Sequence, residues 1–321
     1  MPRWLARLEK SDKLFADDLY ATIAAGEHFL PLWIDVPKLR LTSEEDARAY
    51  VAKHNLAAII QHDSHHFSSK KSYAANVSLL QKYVPFLNSV ESHYIGHDKL
   101  LTKQVLRKAG ISVLDDAVVT TLDGLHHYID TGRFYVIKPP DKGAGAGVKL
   151  VRKEGGRLLS WHNGAWSEMW AREKLASGGN RDITVRQRWS LPFLSETAYT
   201  YNRIMVEPFF NDGTESFASI RCTVIGKQVV ESVRRVNKKN ITSNVSSGGI
   251  AERIELTSNQ TEMAIAAAQA IGADYAGVDL LVCGGASVIG EINIGPFTLF
   301  TDYTGVRAGK LFGNYVVQKL G

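Results

Sequence analysis

Residues 134–151 read FYVIKPPDKGAGAGVKLV. Phe134, Tyr135, Val136 and Ile137 are aromatic or β-branched and favour a strand. Pro139 and Pro140 lack the backbone donors needed to continue it, so the strand ends on Lys138. Gly143, Gly145 and Gly147, alternating with Ala144 and Ala146, then leave a segment almost free of side chains. Such a segment tolerates positive φ and can bring its backbone amides close to an anion. Val148 resumes a strand. A lysine beside this loop points to phosphate, although a hairpin with an exposed lysine fits the same residues, because loose glycine patterns are weakly specific. The Walker pattern is excluded, since no Gly-Lys-Ser/Thr follows and the next element is a strand.

The surrounding chain has 321 residues, enough for two or three subdomains with substantial cores. Its hydrophobic fraction of 45% and charged fraction of 22% are those of an ordinary globular protein. No apolar run approaches the roughly 20 residues that span a bilayer, and MPRWLARLEKSDK carries charges where a signal peptide needs an apolar core. A cytoplasmic protein without a membrane partner is expected. Cys222 and Cys283 are too few for a disulfide framework or a structural zinc site. The net charge of +5 has no clustered basic face with interleaved aromatics behind it; the stretches near Lys70 and from Arg234 to Lys239 are isolated. A basic cleft for small anions explains that charge better than nucleic acid.

Up to about residue 95, strand patterns (RWLARLE, FLPLWIDV, LAAIIQHD, PFLNSV) alternate with helical ones (KLFADDLYATIAAG, SEEDARAYVAKH, KSYAANVSLLQKY), which predicts βαβ units in a Rossmann-like domain. No G-x-G-x-x-G turn follows the first strand, so dinucleotide binding there is not expected. One helix is predicted from Ser92 to Gly110. Residues 152–200 form a polar, Trp-bearing region whose elements the pattern does not resolve. In the last third RIMVEPFF, FASIRCTVIG and KQVVESVRRV read as strands, the latter two joined at Gly226-Lys227, followed by the helix TEMAIAAAQAIG and a hairpin of AGVDLLVCGG and ASVIGEINI. The class is α/β or α+β, in three lobes. His62, His65 and His66 lie at the C-terminal end of a predicted parallel strand, where ligands bind in such sheets; Ser64, Ser68 and Ser69 share the loop. A solvated loop fits these histidines better than a metal site.

Asp279 lies in one hairpin strand, with Glu291 and Asn293, two apart and on one face, in the other. Two carboxylates and an amide within apolar strands make a hard, all-oxygen site that suits Mg²⁺, whose remaining positions go to water and substrate phosphates. The alternative, a pair of solvated acids at strand ends, fits poorly because unpaired charge in apolar strands is costly. Lysine and glycine loop in one lobe, oxygen ligands in another: a nucleoside triphosphate with its Mg²⁺ joins them most simply.

From Asp98 to Pro296, about two-thirds of the chain, these motifs resemble the ATP-grasp superfamily, nearest its RimK-like branch of carboxylate-amine ligases with a glutathione synthetase-like ATP-binding fold. The resemblance implies an N-terminal Rossmann-like pre-ATP-grasp domain (1–95), a central lid subdomain with the glycine loop (96–205) and a C-terminal catalytic subdomain with the metal site (206–321). It implies that Lys99, in HDKLLTKQVLRKAGI, and Lys138 contact ATP phosphate, that Gly143, Ala144, Gly145, Ala146 and Gly147 cover it, and that the backbone of Glu207, Pro208 and Phe209 meets the adenine edge. Arg221, Arg235 and Asn244 would face the acyl phosphate and acceptor, with Asp279, Glu291 and Asn293 as metal ligands. Arg234 and Arg235 alternate faces, so at most one of them reaches the cleft and Arg235 is favoured; Asn244 fits a turn beside Gly248 and Gly249 nearly as well. The implied cofactors are ATP and one or two Mg²⁺, with Mn²⁺ as a substitute. The implied reaction is ligation of small-molecule carboxylate and amine substrates through an acyl phosphate, with cyclisation of one molecule or a non-catalytic ATP-binding module as alternatives, in a homodimer or homotetramer. The family's small residue and Pro-Gly after the metal asparagine are replaced here by IGPF after Asn293, which leaves substrate identity open.

Overall fold

The computed structural model describes residues 10–321 except 27–28, 30, 33, 35, 62–70, 144, 146, 163–164, 176–180, 189–195, 202, 211–216, 239–240, 244, 246–247 and 297–299. Among the described residues no helix is long and apolar enough to cross a membrane.

The N-terminal elements are α1 (Lys10–Ala25), α2 (Glu44–His54), β1 (Ile59–Ile60), α3 (Lys71–Leu80) and β2 (Phe86–Leu87). β1 and β2 pair in parallel, Ile59 opposite Phe86, as the alternating pattern predicts. The strand expected in RWLARLE lies outside the described residues, and that in FLPLWIDV falls partly outside them. α2 starts on a capping box between Ser43 and Asp46 and stops on Asn55 at φ 47°, the left-handed conformation that asparagine tolerates.

Next come α4 (Val90–His97) and α5 (Lys99–Lys108). A single helix was the expectation for this stretch; the structure breaks it at Asp98, which is extended at φ −108°, ψ 109°. The Asp98 carboxylate accepts from the backbone N–H groups of Leu100 and Leu101 at 2.8 and 3.2 Å, so the break is a capped helix start.

β3 (Ala117–Val119), α6 (Leu122–Tyr128) and β4 (Phe134–Lys138) follow, then β5 (Lys149–Glu154), β6 (Arg157–His162), β7 (Ala165–Leu175), β8 (Arg181–Arg188), β9 (Glu196–Tyr201) and β10 (Ile204–Pro208). They form one eight-stranded sheet in the order β3-β10-β4-β5-β6-β7-β8-β9. The Trp-bearing region that resisted reading is therefore an antiparallel meander extending the lysine strand's sheet. β10 inserts between β3 and β4, so the expected boundary at 205/206 falls inside it.

The C-terminal sheet has five strands in the order β13-β12-β11-β14-β15: β11 (Phe217–Ile225), β12 (Gln228–Asn237), β13 (Ile250–Arg253), β14 (Tyr275–Cys283) and β15 (Ala286–Ile294). α7 (Ser258–Ala270) covers one face, and α8 (Thr301–Thr304) and α9 (Ala308–Leu320) end the chain. Ala264, Ala267 and Ala268 are fully buried on α7 and let it lie close against Cys222, Val224, Val278 and Leu280. α9 packs beside α1 through Gly309 and Gly313, whose missing side chains leave room for the backbone of Phe15 and for Thr22. Phe15, Tyr275 and Phe312 stack at this junction, with ring centroids 5.0 and 5.1 Å from Tyr275.

A side chain at Gly309 would overlap the Phe15 carbonyl oxygen. Gly309→Ala is therefore expected to destabilise the protein by about 1–3 kcal/mol through overpacking, although alanine is the better helix former by about 1 kcal/mol. Equilibrium denaturation checks this, and an unchanged or raised midpoint would contradict so close a helix contact.

Candidate active site

The C-terminal sheet separates its chemistry from its core by strand alternation. Residues paired across antiparallel strands project to the same side. Arg235 pairs with Ser219, Arg221 with Asp279, Gly277 with Asn293 and Asp279 with Glu291, so all of these share one face. Their neighbours Ile220, Cys222, Val278, Leu280 and Ile292 take the other face and pack under α7. The register shifts after Asp279, leaving Gly290 as a bulge that re-aims the strand beside Glu291.

On the polar face Asp279 is 7% exposed and held by two guanidinium groups. Arg221 donates from Nε to Oδ1 and from Nη2 to Oδ2 at 2.9 Å. Arg235 Nη2 lies 2.8 Å from the same Oδ1 and donates to Ser219 Oγ at 2.8 Å. Burial alone would raise the Asp279 carboxyl, but Arg221 and Arg235 outweigh it and hold it below the usual carboxylate range. Arg234, on the opposite face, is exposed and pairs with Glu252 at 3.0 Å, so the alternation does aim Arg235 inward. Gly277 has a packing reason to lack a side chain: a Cβ there would meet Arg221 Nη1 at 2.7 Å and Pro296 Cβ at 2.9 Å.

A second buried carboxylate organises the lysine strand. Glu207 Oε2 lies 2.6 Å from Lys138 Nζ, and its Oε1 contacts Lys103 Nζ. Lys103 also donates to the Leu114 carbonyl at 2.7 Å and lies 3.5 Å from Asp116. Burial opposes ionisation of Glu207, yet Lys138 and Lys103 together hold it below its ordinary value. Burial opposes the Lys138 charge as well, and Glu207 overrides it, leaving the ammonium above its ordinary value. For Lys103 burial prevails and the shift is downward. Sequence reasoning gave Glu207 a backbone role and missed both its carboxylate and Lys103. The available signal was spacing, since Lys103 follows Lys99 by one helical turn on α5.

The Lys99 backbone N–H donates to the Pro140 carbonyl at 3.0 Å, its Nζ donates to the Lys142 carbonyl, and that Nζ lies 3.2 Å from Glu291 Oε1. One residue thus touches both the root of the glycine loop and the C-terminal sheet. Gly145, at φ +74°, faces Thr242 so closely that a Cβ would sit 2.6 Å from its methyl carbon. The pairing of β10 with β3 ends at Val206, so Glu207, Pro208 and Phe209 extend past it while Phe209 N–H stays bonded to the Phe134 carbonyl at 2.9 Å. Lys99 thus stands between the two groups: Lys103, Lys138 and Glu207 lie on the side of the lysine strand, and the Glu291 charge is near enough to favour the ammonium of Lys138 and the guanidinium of Arg221. Ala144, Ala146, Asn244 and the histidine cluster lie outside the described residues.

The donor set fits a hard cation. Asp279 Oδ2 takes one of its two possible hydrogen bonds from Arg221, and Glu291 is about one-third exposed toward the cleft. Among the described residues the buried Asn293 carboxamide nitrogen has no hydrogen-bond partner. Among the described residues there is no group of three or more His, Cys, Asp or Glu side chains, so an ion here would rely on an amide, water and phosphate for the rest of its shell.

Glu207→Gln would leave two lysines facing a neutral amide and is expected to destabilise the protein by about 3 kcal/mol at pH 7. The native carboxyl titrates below its unfolded value, so its stabilisation is complete above about pH 5 and is lost as pH falls through the depressed value. Thermal midpoints followed from pH 7 to pH 3 should fall less steeply in the variant than in the wild type; parallel curves would refute the pairing. Gly277→Ala should displace Arg221 and destabilise the protein by about 1–3 kcal/mol through overpacking; an unchanged midpoint in equilibrium denaturation would contradict the close approach.

Comparison with known proteins agrees with this architecture. A model of the RimK-like ATP-grasp domain matches residues 175–311. The chain is 27% identical over 230 residues to a probable alpha-L-glutamate ligase of Mannheimia succiniciproducens, covering 71% of this chain and 66% of that protein. It is 24% identical over 217 residues to the tetrahydromethanopterin:alpha-L-glutamate ligase of Methanocaldococcus jannaschii, covering 68% of this chain and 64% of that one. The chain thus spans slightly under two-thirds of each relative. Among solved structures, a RimK domain ATP-grasp protein from Sphaerobacter thermophilus superposes with a TM-score of 0.61 at 15% identity, over 96% of both chains. The ATP-grasp ligase PsnB, solved with a precursor variant, Mg and ADP, gives 0.59 at 12% identity over 97% of this chain and 96% of its own. These likenesses agree with the register: residues 175–311 match the RimK-like ATP-grasp domain, and the fold of the chain is similar to that of ATP-grasp proteins.

Proposed function

We propose that the protein is an ATP-dependent carboxylate-amine ligase acting on amino-acid or small peptide substrates in the cytoplasm, where ATP is available. The observation that carries this reading is the bridge made by Lys99, which reaches from the root of the glycine loop to within 3.2 Å of Glu291. Lys99, Lys103 and Lys138, gathered beside the loop, complement a triphosphate. The names of the curated relatives support glutamate or a similar amino acid as one substrate.

In this reading the chain works as units 1–95, 96–205 and 206–321, and ATP lies between the last two. The backbone of Glu207, Pro208 and Phe209 receives the adenine edge. Lys138, fixed and kept charged by Glu207, neutralises phosphate oxygens, and Lys103 supports it from α5. Lys99 does the same from the helix start. Asp279, Glu291 and Asn293 would hold Mg²⁺, which would supply positive charge to offset the negative charge that develops during phosphoryl transfer. Gly143–Gly147 covers the phosphates and excludes water, which would hydrolyse an acyl phosphate.

A substrate carboxylate oxygen attacks the γ-phosphorus and the bond to the ADP oxygen breaks, giving acyl phosphate and ADP. An amine nitrogen then attacks the acyl carbon; phosphate departs with the carbon-oxygen bonding pair, and the nitrogen loses a proton. Arg221 and Arg235, preorganised on Asp279, stabilise the negative charge of both transition states. Asn244 would assist at the acceptor.

Phosphate release from Mg·ATP, screened against the L-amino acids, dipeptides and small dicarboxylates in pairs, tests the reading. Amine-dependent turnover is expected, with Lys138→Ala and Glu291→Ala each lowering kcat/KM by about a hundredfold or more. Turnover that survives both substitutions would refute the site. ATP binding without phosphate release for any pair would indicate a binding module instead.

A further inference from the structure

Two carboxamide side chains directly follow the two parallel strands of the N-terminal sheet: Gln61 follows β1 and Asn88 follows β2. Asn88 uses both of its polar atoms. Its Nδ2 donates to the Tyr275 carbonyl at 2.7 Å, and its Oδ1 accepts from the N–H groups of Asp274 and Tyr275 at 2.6 and 2.7 Å. It thereby fastens the N-terminal sheet to the start of β14. Gln61 is also buried, 7% exposed, but among the described residues both its Oε1 and its Nε2 lack a hydrogen-bond partner. Its backbone is paired, with N–H donating to the Leu87 carbonyl at 2.7 Å. A buried amide left unsatisfied destabilises a fold by about 1–3 kcal/mol, so this side chain carries a cost that packing alone does not explain.

Its position supplies the explanation. Ligands of open α/β sheets bind beyond the carboxyl ends of the parallel strands, which is where Gln61 stands. Leu87, its backbone partner, adjoins Asn88, and Asn88 holds Tyr275. Tyr275 lies on β14 in the same face as Gly277 and Asp279, and its hydroxyl donates to the Pro296 carbonyl at 3.2 Å, three residues beyond Asn293. The N-terminal sheet is therefore pinned to the Asn293 side of the cleft, while Glu207 and its two lysines occupy the middle sheet.

We propose that Gln61 is a substrate-orienting residue whose carboxamide donates to a carboxylate or carbonyl oxygen and accepts from an ammonium or amide N–H of the same molecule. That donor-acceptor pair matches an α-amino acid or a peptide group, and does not match a dicarboxylate lacking nitrogen. The inference rests on the ligase reading above and names the N-terminal unit's contribution to it.

The test uses the full chain, the same phosphate-release screen, and two variants. Gln61→Met keeps the volume and removes both polar atoms; Gln61→Asn keeps the carboxamide and withdraws it by one methylene. For the amino acid or peptide the wild type turns over, Gln61→Met is expected to raise KM at least tenfold, with KM for ATP changed less than twofold and a thermal midpoint equal to or above the wild type. Gln61→Asn should also raise KM while keeping the fold. Wild-type KM in both variants, or a lowered midpoint with KM unchanged, overturns the role of Gln61 and leaves the ligase reading standing. A wild type that turns over only nitrogen-free acids likewise overturns it, and one that releases phosphate with no candidate overturns the ligase reading and this inference together.

Discussion

A buried carboxylate must be paired, and in this protein that requirement shapes the cleft twice. Asp279 lies between Arg221 and Arg235, and Glu207 lies between Lys103 and Lys138. Removing either carboxylate would strand two cations in a poorly solvated site, at a cost of several kcal/mol on the order of that for other broken buried pairs. The cations are therefore held in place before any substrate arrives. Electrostatic stabilisation of a developing charge works best when donors need no reorganisation at the moment of reaction.

The two pairs are linked by backbone geometry. Asp279, Glu291, Arg221 and Arg235 share a face because three consecutive antiparallel pairings preserve the alternation across β12, β11, β14 and β15. Glu207 and Lys138 meet because β10 inserts beside β4, and Lys103 joins them from α5. Lys99 stands at the α5 start created by the Asp98 cap, where it reaches Glu291. Moving the helix start by one residue would rotate Lys99 by roughly 100° away from that partner.

Two further contacts hold the parts in register. Asn88 ties the small parallel sheet to β14 through three hydrogen bonds. Gly145 lies against Thr242, so the glycine loop meets the segment after β12 without a side chain between them.

Much of this was legible in the sequence. FYVIKPP fixed the end of β4, and the pattern of AGVDLL with GEINI placed Asp279 opposite Glu291, because strand periodicity is local and apolar strands tolerate few charges. That Arg234 and Arg235 take opposite faces followed from the same period of two, and the fold decided that Arg235 is the one that meets Asp279. What periodicity could not supply was pairing at a distance. It left the Trp-bearing stretch unparsed, although the fold makes it a meander continuing the β4 sheet, and it read α4 and α5 as one helix because the Asp98 cap competes with an unbroken apolar pattern. It also gave Glu207 only a backbone role. Glu207 acquires its lysines from α5 and β4, which lie 104 and 69 positions earlier in the chain. Residue types and local spacing determined which groups are available for chemistry; tertiary structure alone decided which opposite charges are buried together, because that depends on sheet order and helix placement that no local pattern encodes.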